Sequence, residues 1–227
     1  MLNACLYSGG KDSTLALHKA MRSGIKIDLL VTFLSRNKES YMFHYPNARL
    51  TSLQAEALGI RQVFVETEGV KEEELKDLSA ALEDNGVGLL VTGATYSRYQ
   101  ADRIKRITGR LGIDNVAPLW KIDPLEELGE IASEFNAIIT AVAAEGLDDS
   151  FLGERIDKRM IGKLSELNRR YGINLLFEGG EAESFVLDAP LFRKSVRILK
   201  ASKEWNGVTG TYTIEKAELA EKSLPAT

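Results

Sequence analysis

Six consecutive residues, Ser8-Gly9-Gly10-Lys11-Asp12-Ser13, combine two hydroxyls, two glycines, a lysine and a carboxylate. Backbone N–H groups of a glycine-rich turn, joined to a helix N-terminus, form a cradle for an anion. Gly9 and Gly10 permit close approach and positive φ. Ser8 and Ser13 add hydroxyl donors, Lys11 neutralises charge, and Asp12 suits either Mg²⁺ or the orientation of the loop. The set reads as a phosphate site with Lys11 and Asp12 as its catalytic pair, both expected in a solvent-reachable loop. A capped helix start with a solvated lysine accounts for some of these features but not for all of them together.

Three further stretches concentrate functional side chains. "TGATYSRYQADR" carries Gly93, Ser97, Arg98, Tyr99, Gln100 and Arg103. Ser97 stands where it can cap a helix whose first turns hold Arg98, Tyr99, Gln100 and Arg103. For Arg98, Lys105 and Arg106 a solvated basic face is the simpler account. "SYMFHYPN" brings together Tyr41, His44 and Tyr45, with His44 the candidate substrate contact. In "FEGGEAESFVLDAPLF" a strand is expected to end at Phe177, after which Glu178, Glu181, Glu183 and Asp188 surround Gly179-Gly180. These carboxylates suit a cation such as ammonium or Mg²⁺, or a proton to be accepted; the plainer alternative is a tight turn with exposed acids. Glu181, next to the glycines, ranks ahead of Glu183 as the acting acid, and Glu178, Gly179, Gly180 and Asp188 are the expected substrate contacts.

The elements that must position these residues alternate. Apolar runs at 2–7, 27–34, 62–65, 87–92 and 116–120 read as strands buried on both faces. Between them lie helical periods, marked by Ala16, Leu17, Ala20 and Met21; by Leu50, Leu53 and Leu58; by Leu75, Leu78 and Leu82; and by Ile104, Ile107 and Leu111. This is the pattern of an α/β parallel sheet with helices on both faces, whose ligands bind beyond the carboxyl ends of the strands. Asp123-Pro124 is a good helix start and divides the chain into domains at 1–122 and 123–227. Beyond it come a helix (Leu125, Leu128, Ala132, Phe135), a strand at 137–142, a basic amphipathic helix (Ile161, Leu164, Leu167) and a short strand at 174–177. Antiparallel strands from Phe185 onward complete a smaller α+β domain.

Composition removes several function classes. The chain has 227 residues, 44% hydrophobic and 27% charged, the balance of an ordinary globular protein. No apolar run reaches the roughly 20 residues of a membrane helix and no leader pattern opens the chain, so a cytoplasmic location and no membrane partner are expected. One cysteine, Cys5, and two histidines leave no disulfide framework or Cys-x-x-Cys site and no basis for a structural zinc. A net charge of −4 argues against a stable nucleic-acid complex.

The loop is not a Walker A motif, because Cys5 and Asp12 stand where a glycine and a Ser or Thr are required. It resembles the "SGGxDS" PP-loop of the HUP-like ATP pyrophosphatases, which cleave ATP between the α and β phosphates. That resemblance implies ATP over residues 8–13, with adenine near the end of the second strand beside Thr32 and Phe33. Over nearly its whole length the chain resembles the diphthine–ammonia ligase family. The likeness rests on 8–13, on "ESYMFH" at 39–44, on Gly93-Ala94 with Ser97 and Tyr99-Gln100, on "GLDDSFLG" at 146–153, and on "EGGEAESFVLDAPLF" at 178–192. In the last segment the family usually has an aromatic and a Thr where this chain has Ala182 and Ser184, so position 182 is given no role.

The resemblance implies an ATP- and Mg²⁺-dependent ligase. ATP would adenylate the carboxylate of a modified histidine on elongation factor 2, and ammonium would attack the acyl-adenylate to give the amide, AMP and pyrophosphate. A tRNA-modifying PP-loop enzyme stays open as an alternative. Paired-cysteine thiolation is disfavoured by the single Cys5, whereas lysidine-type chemistry needs no cysteine. A nucleotide-sensing module without turnover is the third reading, opposed by the complete loop. Homo-oligomerisation is left open.

Overall fold

In the computed structural model, residues 1–35, 47–68 and 71–222 are described, apart from the side chains of 71–73. The chain divides into two units, one made of Met1–Arg49 and Ile60–Asp123, the other of Leu50–Gly59 and Pro124–Thr227.

In the first unit, β1 (Leu2–Leu6), β2 (Leu29–Ser35), β3 (Arg61–Thr67), β4 (Val87–Val91) and β5 (Asp114–Val116) form one sheet in the order β3-β2-β1-β4-β5. Every pairing is parallel, as the alternation of apolar runs and helical periods requires. Three helices cover it: α1 (Lys11–Arg22), α3 (Lys71–Asp84) and α4 (Arg98–Leu111). Strand alternation puts Ala4, Leu29, Val31 and Leu90 on one face, where Leu75, Leu78 and Leu82 of α3 and Ile104 and Ile107 of α4 bury them. Each Leu, Ile and Val among them contributes about 1.5–3 kcal/mol. α1 packs against β1 and β4.

Two expectations shift. β3 is an edge strand rather than one buried on both faces, and its Phe64 is 40% exposed. β5 precedes the expected run at 116–120, because the chain turns there: Trp120 N–H donates to Ala117 O and Ile122 N–H to Leu119 O.

The second unit holds β6 (Asn136–Val142), β7 (Ala182–Asp188), β8 (Ser195–Trp205) and β9 (Gly210–Ala220), antiparallel in the order β7-β6-β9-β8. With them are α2 (Thr51–Leu58), α5 (Pro124–Glu134) and α6 (Lys158–Tyr171). Its sheet core is Ile138, Phe185, Leu187, Val196 and Ile214, with Leu50 and Leu53 packed against it. Gln54 Nε2 donates to Val186 O at 2.6 Å, and Arg193 N–H donates to Ala57 O at 2.8 Å. So α2, which lies in sequence between β2 and β3, is part of the second unit. Its apolar period declares a buried face without naming the sheet that buries it.

The short strand expected at 174–177 is absent. Leu176 N–H donates to Asn174 Oδ1 at 2.8 Å, Phe177 N–H donates to Asn174 O at 3.0 Å, and Phe177 has φ 67°. Leu176 and Phe177 are buried, but in turns held by an Asn side chain. Among the described residues, no helix is long and apolar enough to cross a membrane.

Candidate active site

β1 ends at Leu6, and Tyr7 N–H still donates to Val31 O at 2.8 Å before the chain leaves the sheet. Gly9 then adopts φ 79°, a left-handed conformation for which glycine is suited. Gly10 occupies the N-cap of α1, and no side chain caps that terminus. The two serines brace the loop from within. Ser8 N–H donates to Ser13 Oγ (3.3 Å), Gly10 N–H to Ser8 Oγ (3.3 Å) and Ser13 Oγ to Gly10 O (3.2 Å), while the hydroxyls of Ser8 and Ser13 lie 3.1 Å apart. A helix start with no side-chain cap is the arrangement in which first-turn amides and the helix dipole receive an anion.

Lys11 and Asp12 differ from expectation in one respect. They form the first turn of α1 rather than a loose loop, and Lys11 is only 1% exposed. Its Nζ donates to Asp12 Oδ1 at 2.6 Å, and the Asp12 side chain is 34% exposed. A buried ammonium needs such a partner, since charge in low dielectric is otherwise costly. The pair presents an outward carboxylate beside an inward amine.

Beneath the loop runs a hydrogen-bonded support that spacing does not reveal. Thr14 Oγ1 donates to the Tyr7 hydroxyl (3.2 Å), Thr32 Oγ1 donates to Tyr7 O (2.6 Å), and Gln62 Nε2 donates to Thr32 Oγ1 (2.8 Å). Tyr7 is buried, which pushes its phenol up and keeps it neutral. The side chains of Thr32 and Phe33, expected beside a nucleotide, are engaged within the fold: the Thr32 hydroxyl holds Tyr7, and the Phe33 ring lies in the core under the helices. β1 pairs with β2 only to Leu6↔Val31, whereas β2 continues beside β3 to Ser35↔Thr67. Tyr7, Thr14 and Gln62 were not singled out by sequence; the only signal was a tyrosine directly ahead of the loop.

The strand order reverses between β1 and β4, and a parallel sheet opens its ligand crevice at such a point. There the loop after β4 presses on the start of α1. A Cβ on Gly93 would sit 2.9 Å from Asp12 C and Ser13 N, so only glycine lets the two backbones meet. Ser97 caps α4, accepting from Gln100 N–H at 3.4 Å. Arg103 is buried, with its guanidinium 4.2 Å from the centroid of the half-exposed Tyr99 ring. His44 lies outside the described residues.

The acid-rich segment of the second unit is less concentrated than its sequence. Glu181 Oε1 accepts from Asn174 N–H (3.0 Å) and Oε2 from Gly179 N–H (2.8 Å), so both oxygens hold the turn that carries Glu178, Gly179 and Gly180. Glu183 follows on β7, opposite Ala141, and is half-buried. Asp188 ends β7, roughly 20 Å from Ala182 at about 3.3 Å per residue. There it accepts from Lys222 Nζ at 2.9 Å and from Ala189 N–H at 2.9 Å. The expected clustering of four carboxylates about the glycines is thus corrected: β7 begins at Ala182 and carries Asp188 away. Among the described residues no three His, Cys, Asp or Glu side chains converge to hold a metal.

Residues 1–115 match the diphthamide synthase N-terminal domain and residues 123–220 the diphthamide synthase C-terminal domain. The diphthine–ammonia ligase of Homo sapiens is 34% identical over 217 residues, 85% of this chain and 81% of that protein. That of Danio rerio is 33% identical over 216 residues, 85% of this chain and 84% of that protein. A solved structure described as a predicted subunit of tRNA methyltransferase from Methanocaldococcus jannaschii aligns with 83% of this chain and 97% of that one, at 16% identity and a TM-score of 0.44, too slight a likeness to bear on function. Two domain matches and relatives at this identity over most of their length establish that the chain belongs to the diphthine–ammonia ligase family, enzymes that form a carbon–nitrogen bond.

Proposed function

We propose that this chain is a cytoplasmic ATP-dependent ligase that converts diphthine on elongation factor 2 to diphthamide with ammonium, through an acyl-adenylate, releasing AMP and pyrophosphate. The observation that carries the reading is the brace-and-cradle geometry at 8–13, an α1 terminus without a side-chain cap, beside Lys11, at the carboxyl end of β1 where the sheet reverses. In it, residues 1–122 handle ATP and residues 123–227 serve the acceptor.

The helix dipole and first-turn amides of α1 hold the β and γ phosphates, and Lys11 stabilises charge that develops on the departing pyrophosphate. Backbone groups near Thr32 and Phe33 read the adenine edge, and Gly93, Ser97, Tyr99, Gln100 and Arg103 line the nucleotide from the far side of the crevice. One carboxylate suits Mg²⁺, which takes few protein ligands and completes its shell with phosphate and water. Asp12, part-exposed at the loop, would hold it, and the bound ion would supply positive charge to the phosphates. In the acceptor half, Glu183 takes the proton that ammonium must lose before it attacks, and Glu181 fixes the turn on which Glu178, Gly179 and Gly180 approach the substrate. Asp188 and His44 complete the acceptor contacts in this reading. Cys5 takes no part: it is fully buried and its thiol is pushed far up, which leaves no thiolate for sulfur transfer.

The test is to incubate the protein with ATP, Mg²⁺, ammonium and diphthine-bearing elongation factor 2, following AMP and the mass of the factor. The expected result is AMP in step with a loss of about 1 Da, OH being replaced by NH₂ on the modified side chain. AMP without that mass change, or ADP in its place, would remove the reading.

A further inference from the structure

Lys121 holds a backbone conformation that its own residue type disfavours. β5 ends at Val116 and the chain then turns twice, with Trp120 N–H donating to Ala117 O and Ile122 N–H to Leu119 O, both at 3.1 Å. Lys121 is the third residue of the second turn and has φ 63°. Glycine or asparagine suits that position, whereas a larger side chain is strained there. Among the described residues Phe177 is the other non-glycine with positive φ, and its side chain is buried. The Lys121 side chain is exposed, so packing does not account for it.

The surroundings fix this conformation and its place. Lys121 N–H donates to Thr95 O at 3.0 Å, and the Tyr96 hydroxyl donates to Ile122 O at 2.8 Å. Leu119, where the two turns overlap, is fully buried. The loop after β5 is thus clasped to the loop after β4, in which Gly93 closes against the backbone of Asp12 and Ser13. The start of α1 and these two loops make one rim along the carboxyl end of the sheet, on the side of the strand reversal away from Thr32 and Phe33. Lys121 makes no side-chain hydrogen bond, ion pair or ring contact among the described residues. A turn needed only to end a strand is better served by glycine, and a charge needed only for solvation by any residue with negative φ. A strained residue that its neighbours hold in place at a ligand crevice marks a side chain required there.

We propose that Lys121 is a phosphate contact of the nucleotide, its ammonium meeting the phosphate chain from the β5 side of the crevice while the start of α1 receives that chain from the β1 side. The inference rests on the proposed function for the identity of the anion, ATP. An ammonium on a long flexible stem is a compact point charge, suited to phosphate oxygens that need no fixed fork of donors. Lys11 is bonded to Asp12, and a triphosphate carries more negative charge than that one lysine offsets. The unpaired ammonium on the opposite rim supplies the second cation.

The test measures ATP binding by calorimetry, without acceptor, beside melting temperature. Lys121→Gly removes the charge and relieves the backbone, so it melts at or above wild type while the Kd for ATP rises about ten-fold or more. Its ATP binding also depends less on salt. Lys121→Asn, which tolerates the same φ, loses ATP affinity in parallel and keeps the result from resting on one variant. Lys121→Arg retains the charge and recovers most of the affinity. A merely structural lysine predicts the opposite pattern, a shifted melting temperature with ATP affinity unmoved. Unchanged ATP affinity in Lys121→Gly and Lys121→Asn overturns the proposal, and so does an equal loss in Lys121→Arg. AMP and pyrophosphate are titrated with the same proteins: weakened AMP binding puts the ammonium on the α-phosphate, weakened pyrophosphate binding puts it on the leaving group, and neither overturns the proposal's phosphate contact unless both are unchanged. If wild type binds ATP but forms no amide, the functional reading fails and the Lys121 comparison still decides this contact; if wild type binds no ATP, both are overturned.

Discussion

The glycine loop of the first unit and the acid-rich turn of the second each set two adjacent glycines among charged residues, and they use them in opposite ways. At 8–13 the serines satisfy one another and the loop, Lys11 is buried against Asp12, and the start of α1 is left with no side-chain cap. The internal bonds there fix the turn and leave the start of α1 to face the anion of our proposal. At 178–181 the most promising acid, Glu181, closes its own turn with both oxygens, and Asp188 is ion-paired at the far end of β7. The same residue types therefore carry different weight. A binding site made by backbone geometry survives its own hydrogen bonding, while one made by carboxylates is diminished by it.

Substitutions can break or sharpen that contrast. The largest effect is expected at Glu183, the acid in the segment that our proposal keeps for proton transfer. Glu183→Gln lowers amide formation by about 10²–10⁴ while ATP affinity and melting temperature hold, the span of a positioned general base. Parallel loss of ATP binding would move this acid to the nucleotide. Next comes Lys11→Met, which keeps a long buried stem but removes the charge. AMP formation falls about 10²–10³ in a protein that still folds. Lys11→Ala is the poorer test, because truncating a side chain that is 1% exposed also opens a void.

Smaller effects follow in stability. Gly93→Ala forces a Cβ against the Asp12 and Ser13 backbone and costs about 1–3 kcal/mol, seen as a lowered denaturation midpoint together with weaker ATP binding. A drop in midpoint with ATP binding intact would separate the two loops functionally. Glu181→Gln puts an amide donor against one of two backbone donors and costs about 1 kcal/mol of folding free energy, with amidation lowered only mildly. A steep loss of amidation at unchanged midpoint would return Glu181 to the chemistry and erase the contrast. Least of all, Asp188→Asn weakens a part-exposed pair with Lys222 and costs about 0.2–1 kcal/mol by denaturant titration.

What could be read ahead of the structure follows the same line. The parallel sheet was legible because each strand is a short apolar run and each helix an apolar period, signals that depend only on neighbours in the chain. The glycine turn into α1 was legible because its residues are consecutive, and Ser97 because a cap sits next to its helix. Burial of Lys11 and the Tyr7–Thr14 and Thr32–Gln62 contacts were not, since they are set by residues up to 30 positions apart. The 174–177 segment was misread because Leu176 and Phe177 are apolar and buried, which a turn tied by Asn174 and Glu181 achieves as well as a strand. The crowding of acids dissolved for a related reason: distance along the sequence is short, but a strand converts it into length.

The placement of α2 has a consequence for how this molecule can be inherited. Its ten-residue segment, Leu50–Gly59, belongs to the second unit but is encoded between two strands of the first. No single junction in the chain separates the units. A recombination event at the seam near Asp123 would deliver a second unit stripped of the helix that bonds Val186 and Arg193, with Ile138, Phe185 and Val196 short of their cover. A single exchange at that seam therefore does not carry a complete second unit with it.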